Sequence, residues 1–294
     1  MSPRPVLLAV PNVSEGRSAA AEELAAAFAP ARLLDLHSDL DHGRSVLTLA
    51  GRQGDLWRAL LGGARATTAR VDLRDHSGVH PYVGALDVAP IVYLDAAARS
   101  AAQVEAQTAA ALIGAELELP VFLYGELATV EGHRERAALR RGGPAELAAR
   151  LAAGELRPDY GPSRAHPSAG AVLITSRPPL VAFNLDLASD DVAVAQLIAG
   201  RLREASGGLP GVRAIGLFLA ARGRAQVSFN VHDPYAVPLR LLVAAVRDHA
   251  EIAEAELVGL APAAALDGFP DDVGLRGFLP ERHLIENALR SLDA

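Results

Sequence analysis

Histidines and their polar neighbours set the chemistry this chain can do, and two segments concentrate them. HSDLDHGR at 37–44 supplies His37, Asp39, Asp41, His42 and Arg44, and DHSGVHP at 75–81 supplies Asp75, His76 and His80. Imidazole titrates near neutrality, so one positioned His can both take and give a proton. Asp and His are also metal ligands, and a metal-dependent hydrolase built on Asp39, Asp41, His42, His76 and His80 is one reading. Against it, Gly78 separates His76 from His80 and Pro81 follows, so the pair cannot use one face of a helix as a zinc pair does. No metal is expected. A third reading is a solvated, turn-rich surface, since Asp, His, Ser and Gly are also what turns are made of. The residues alone leave these readings open.

The rest of the inventory narrows the chemistry. Among 294 residues all 28 basic side chains are Arg, and there is no Cys. That excludes a Schiff-base or P-loop lysine, and with it thiolate nucleophiles, disulfides and iron–sulfur clusters. A net charge of −7 gives no footprint for nucleic acid. No segment reaches the length of apolar chain that a membrane span needs, and the short run in MSPRPVLLAVPN ends at Pro11 before a signal-peptide core could form. A cytoplasmic protein acting on small molecules is expected. PNVSEGR (11–17) follows the first strand and leads into a helix N-terminus, where free amides favour an anion, so Asn12, Ser14 and Arg17 are candidate ligand contacts. Asn184 and Asn230 lie within strand-like runs and are further candidates. His133, His232, His249 and His283 have no motif around them.

Hydrophobic periodicity supplies the elements that must position these groups. Strands are expected at 5–10, 32–37, 44–50 and 86–94, with helices at 19–29, capped by Ser18, and from Asp55 to about 70. The order is β-α-β-β-α-β. The second half repeats it: a strand at 179–186, a helix at 189–205 opened by Ser189–Asp190–Asp191, a hairpin of 213–220 and 224–231 turning at Arg222–Gly223, a helix at 236–250 and a strand at 255–260. Two such units predict an α+β chain of tandem ferredoxin-like (split βαβ) domains, an α/β sandwich each, with the boundary near 170–180. Between them lie a helix at 97–118, a strand at 120–124 and an irregular stretch from 125 to 170, and a final helix is expected at about 280–292.

Read together, the strings PNVSEGR (11–17), DHGRSVLTLAG (41–51), HPYVGALDVAPIV (80–92), PVFLYGELA (120–128) and PDYGPSRAHPSAGAV (158–172) resemble the formiminotransferase family. LVAFNLDL (180–187), GLFLAARGRAQVSFNVHD (216–233) and ELVGLAPAAAL (256–266) continue the match, so it covers nearly the whole chain. The resemblance implies transfer of a formimino group from N-formimidoyl-L-glutamate to tetrahydrofolate, a co-substrate, in histidine degradation and folate one-carbon metabolism. It implies His80 as general acid/base and no metal. Folate contact falls on Gly161, Pro162, Ser163, Arg164, Ala165, His166, Pro167, Ser168, Ala169 and Gly170, with the folate lying between the two units. It also implies subdomains 1–177 and 178–294, a homodimer, and a stand-alone transferase without the fused cyclodeaminase. Arg17, Arg44 and Arg164 sit in matched motifs, and guanidinium forks suit substrate carboxylates. Four positions depart from the family pattern: Val79 replaces an acidic residue, Tyr82 an Arg, Gly43 an Asn and Ala169 an aromatic. These changes weaken carboxylate pairing and pterin stacking, which puts glycine beside glutamate as donor and admits a folate-binding protein without turnover.

Overall fold

A computed structural model describes residues 4–290, which divide into two compact units at the Pro178–Pro179 bond. The first unit contains β1 (Val6–Ala9), β2 (Asn12–Val13), α1 (Ser18–Ala25), β3 (Arg32–Asp39), β4 (Arg44–Arg52), α2 (Leu56–Arg70), β5 (Leu86–Tyr93), α3 (Arg99–Leu117), β6 (Val121–Leu123), α4 (Arg136–Arg140), α5 (Gly143–Ala152) and β7 (Val172–Arg177). β1 pairs antiparallel with both β4 and β5, and β3 pairs with β4, which is the strand arrangement of a split βαβ unit. The second unit contains β8 (Val181–Leu187), α6 (Val192–Leu202), β9 (Val212–Leu219), β10 (Arg224–Val231), α7 (Leu239–Arg247) and β11 (Ile252–Val258), in one antiparallel sheet of order β11-β8-β10-β9. The chain is therefore two tandem α+β domains. Two short helices follow, α8 (Pro280–His283) and α9 (Ile285–Arg290), where one helix over 280–292 is expected; residues 291 and 292 lie outside the described part.

The stretch from 125 to 170 departs most from expectation. It is not irregular throughout, since it carries α4 and α5, and it leads into β7, a strand the hydrophobic pattern does not separate from its Gly-rich approach. β7 slots between β5 and β6, parallel to both, so that these two strands extend the expected four-stranded sheet, and the short β2, which pairs with β4 and β5 as β1 does, brings the count to seven. Alternation along these strands explains the packing. Val121, Leu123, Val172 and Ile174 join the core under α2 and α3, whereas Phe122 and Leu173 face the opposite way and pack with Leu139, Leu147 and Leu151 of α4 and α5. Strands buried on both faces read as continuous apolar runs.

Helix starts show where local sequence suffices and where it does not. Asp191 caps α6 as expected, accepting from the backbone N–H groups of Ala193 and Val194 at 2.9 and 3.3 Å. Asp55 does not cap α2 with its side chain; the buried carboxylate of Glu105 on α3 accepts instead from Gly54 N and Trp57 N, at 2.5 and 2.9 Å. Ser18 is the first helical residue of α1, following an extended Arg17, and makes no cap hydrogen bond.

Candidate active site in the first unit

The turn between β3 and β4 and the loop 71–85 converge, and two glycines let them. Gly43 sits at φ 62°, and a Cβ there would come within 2.6 Å of both the Gly78 Cα and the His76 ring. Val79 N donates to Asp41 O at 2.9 Å across the same junction. Gly43 therefore stands where backbone meets backbone, which is what a glycine is suited to. Within the turn His42 is buried, its Nδ1 2.9 Å from the Asp39 carboxylate, which also accepts from the His42 backbone N–H at 2.9 Å. Within the loop the His76 ring meets Tyr82 edge-on at 4.2 Å.

Below the loop lies a buried charge network that fixes His80. Asp87 on β5 is 0% exposed, and its Oδ2 accepts from Arg44 Nη1 at 2.8 Å and from Arg140 Nη2, while its Oδ1 accepts from Val83 N at 2.9 Å. Burial alone would raise this carboxyl, but the two guanidiniums and the N–H hold it below the ordinary carboxylate value. Arg44 Nε donates to Asn12 Oδ1 at 2.9 Å. The fork of Arg44 is thus held by both Asp87 and Asn12, and burial lowers it to about 10. Its Nη1 also lies 3.1 Å from His80 Nδ1, and the Pro81 carbonyl oxygen lies 2.8 Å from the same nitrogen. Both contacts fall on Nδ1. Burial first, then the charges of Arg44, Arg140 and His42, hold the His80 imidazole well below the ordinary 6.5. Both effects favour the neutral ring.

The remaining expected site residues fall in several places. Ser14 is buried and donates to Gly84 O at 2.7 Å, tying the β2 segment to the strand entrance beside His80. Arg17 is 73% exposed and paired with Glu15 at 2.6 Å. The stretch 161–170 closes with reciprocal His166–Gly170 backbone hydrogen bonds of 2.9 and 3.0 Å and docks on the loop 71–85 through Leu73 N to Ser168 O, 2.8 Å, and Ala85 N to Ala169 O, 2.9 Å. Gly161 and Gly170 both have positive φ, and Ala169 is buried in the first core. Pro162 and Ala165 are half-buried, whereas Ser163, Arg164 and Pro167 are exposed, Arg164 at 79%. Asn184 and Asn230 belong to the second unit, where Asn184 donates to Glu256 at 3.0 Å and Asn230 pairs with Ala182 and Arg213 in the sheet. Among the described residues no group of three or more His, Asp or Glu side chains is arranged to hold a metal ion. The metal-hydrolase reading gains no support from the convergence of the two loops. Sequence reasoning missed Asp87 and Arg140. A lone Asp inside the apolar run LDVAPIVYL was the available signal, because a buried carboxylate demands a cation.

Comparison with known proteins agrees with this architecture. The model of the formiminotransferase domain, N-terminal subdomain, matches residues 6–177, and that of the formiminotransferase domain matches residues 182–268. The chain is 34% identical over 267 residues to a glutamate formimidoyltransferase of Streptococcus pyogenes, covering 87% of this chain and 89% of that protein. A glutamate formimidoyltransferase of Thermoplasma acidophilum is 31% identical, with 87% and 88% covered. A formimidoyltransferase-cyclodeaminase of Sus scrofa is 34% identical, with 87% of this chain but 50% of that longer protein covered. With both family models matched in order across most of its length, the chain belongs to the formiminotransferase family.

Proposed function

We propose that the chain transfers a formimidoyl group from N-formimidoyl-L-glutamate to tetrahydrofolate, with His80 as general acid/base. The streptococcal and Thermoplasma relatives are named for a glutamate formimidoyltransferase. The secondary amine nitrogen of the reduced pterin attacks the amidine carbon, its proton is taken up by His80 Nε2, and the same proton passes to the amino-acid nitrogen as the old C–N bond breaks. One proton moves between two nitrogens and nothing else is consumed. The observation that carries this reading is the placement of His80, whose contacts with Arg44 and the Pro81 carbonyl both fall on Nδ1, with burial favouring the neutral ring. Folate lies along 161–170, the stretch docked on the His80 loop, and the exposed Arg17 and Arg164 meet substrate carboxylates, Arg44 being taken up by Asp87, Asn12 and His80. Residues 1–177 and 178–294 form the two formiminotransferase subdomains of a cytoplasmic homodimer whose partners are small molecules.

The test is formation of 5-formimidoyl-tetrahydrofolate by the wild type and by His80→Ala. The variant is expected to lose at least about 10²-fold in turnover. Tetrahydrofolate binding by the wild type without transfer from any formimidoyl amino acid, or a His80→Ala protein that turns over normally, defeats the proposal.

A further inference from the structure

One nitrogen of His80 faces two partners that ask opposite things of it. The Pro81 carbonyl oxygen, 2.8 Å from Nδ1, can only accept, so it favours a proton on Nδ1. Arg44 Nη1, 3.1 Å from the same atom, can only donate, so it favours a lone pair there. A single protonation state satisfies one and offends the other. With the proton on Nδ1 the ring presents a basic lone pair at Nε2; with Nδ1 bare the proton sits on Nε2, which then presents a hydrogen-bond donor, and the acid of the cycle is the imidazolium. Neither partner is free to drift away. Pro81 is the next residue in the chain, and Arg44 is fixed by Asp87 at 2.8 Å and Asn12 at 2.9 Å.

We infer that Arg44 is a positioning residue that competes with the Pro81 carbonyl for His80 Nδ1, keeping both neutral tautomers populated and the imidazolium short-lived. The inference rests on the reading of His80 as the acid/base group. When Nε2 takes the pterin proton the ring becomes a cation with both nitrogens protonated. Pro81 O welcomes that state, while Arg44, itself charged, opposes it at close range, with Arg140 and His42 adding to the opposition and the buried Asp87 already shared by the two arginines. A proton gained under those conditions is readily passed on to the departing amine. Without Arg44 the ring would settle as the Nδ1–H tautomer, bind the extra proton more firmly, and release it more slowly. The step balances: the N–H bond of the attacking nitrogen is exchanged for one on Nε2, then for one on the leaving nitrogen, and the ring returns to its starting state.

The experiment reads the ring directly. In uniformly 15N-labelled protein at neutral pH, with His80 assigned by its disappearance in His80→Asn, both ring nitrogens of the wild type are expected at intermediate shifts, as tautomer exchange requires. In Arg44→Met the shifts are expected to collapse to those of a single Nδ1–H tautomer. Kinetically, kcat for Arg44→Met falls roughly tenfold or more with the donor KM changed less, as for a group that acts on the bound complex. The acid limb of its kcat/KM profile moves to higher pH, and Arg44→Lys, which keeps a charged donor, restores part of kcat. A merely structural role would not move that limb. A wild-type ring fixed in one tautomer overturns the inference and needs no variant to show it; so does an Arg44→Met spectrum identical to the wild type. Failure of the acid/base reading itself shows separately, as normal turnover in His80→Ala.

Discussion

In the first unit one buried carboxylate, Asp87, faces the guanidiniums of Arg44 and Arg140. In the second, Asp186 and Glu256 are buried beside Arg276 and Arg222, with Glu254 2.8 Å from Arg276 as well. The two units share one course of chain, and even the turns correspond: four residues join Asp39 to Arg44, and four join Leu219 to Arg224, each turn ending on a glycine of positive φ. The local balance of charge is opposite. Cations outnumber the carboxylate around His80, whereas carboxylates outnumber cations on the second sheet. The difference teaches that the shared topology supplies the platform and says nothing of the site; His80 is depressed first by its burial and then by the particular pair of arginines brought against β5.

That contrast can be broken most forcefully at Asp87. Asp87→Ala leaves two guanidiniums facing each other without a counter-ion, and a loss of about 3–5 kcal/mol in urea unfolding is expected. A loss within experimental error would mean that the arginines find other partners and that the network is not what holds the loop. A smaller effect is expected at Asp186, which accepts from Gln226 Nε2 at 2.6 Å and lies 3.4 Å from both Arg222 and Arg276. Arg276 keeps Glu256 at 2.7 Å and Glu254 at 2.8 Å when Asp186 is gone, so Asp186→Ala should cost about 1–3 kcal/mol, mostly for the stranded Gln226. If both substitutions cost the same, the supposed asymmetry between the units has no energetic content.

The mildest test is acidification. Burial holds His76, His80 and His133 of the first unit below the ordinary value of 6.5. Below that value the unfolded chain therefore binds more protons than the folded one, and stability falls with pH. Their contribution is complete above about 6.5 and is lost as pH drops towards the folded-state values, so the melting temperature should be flat just above neutrality and decline from pH 6.5 downwards. His80→Asn should flatten part of the decline; an unchanged slope would show that His80 is not desolvated in solution.

Much of the scaffold was legible because it follows local rules. The apolar alternation of VAFNLDL and RAQVSFNV, the Asp191 cap and the Gly223 turn each specify their element with few neighbours involved. The rest depends on residues far apart in sequence. Glu105 caps a helix that begins some fifty residues earlier, and nothing near Asp55 announces it. β7 escaped notice because VLITS, buried on both faces, lacks the alternation that marks a half-exposed strand. For the candidate site, His80 stood out through its motif. The meeting of its loop with the β3–β4 turn hangs on the approach of Gly43 to Gly78, and Arg140, in the run ALRRGG, gave no hint that it would reach Asp87.

The position of β7 has a consequence for how the protein is made. Its two neighbours precede it in the chain, and the gap between them can close only when residues 172–177 arrive. Until then β5 and β6 each offer a bare row of amides and carbonyls to any passing strand. During synthesis the first half thus stays vulnerable to wrong pairing until its final strand leaves the ribosome, and a nascent chain stalled just before that strand would be a natural client for chaperones.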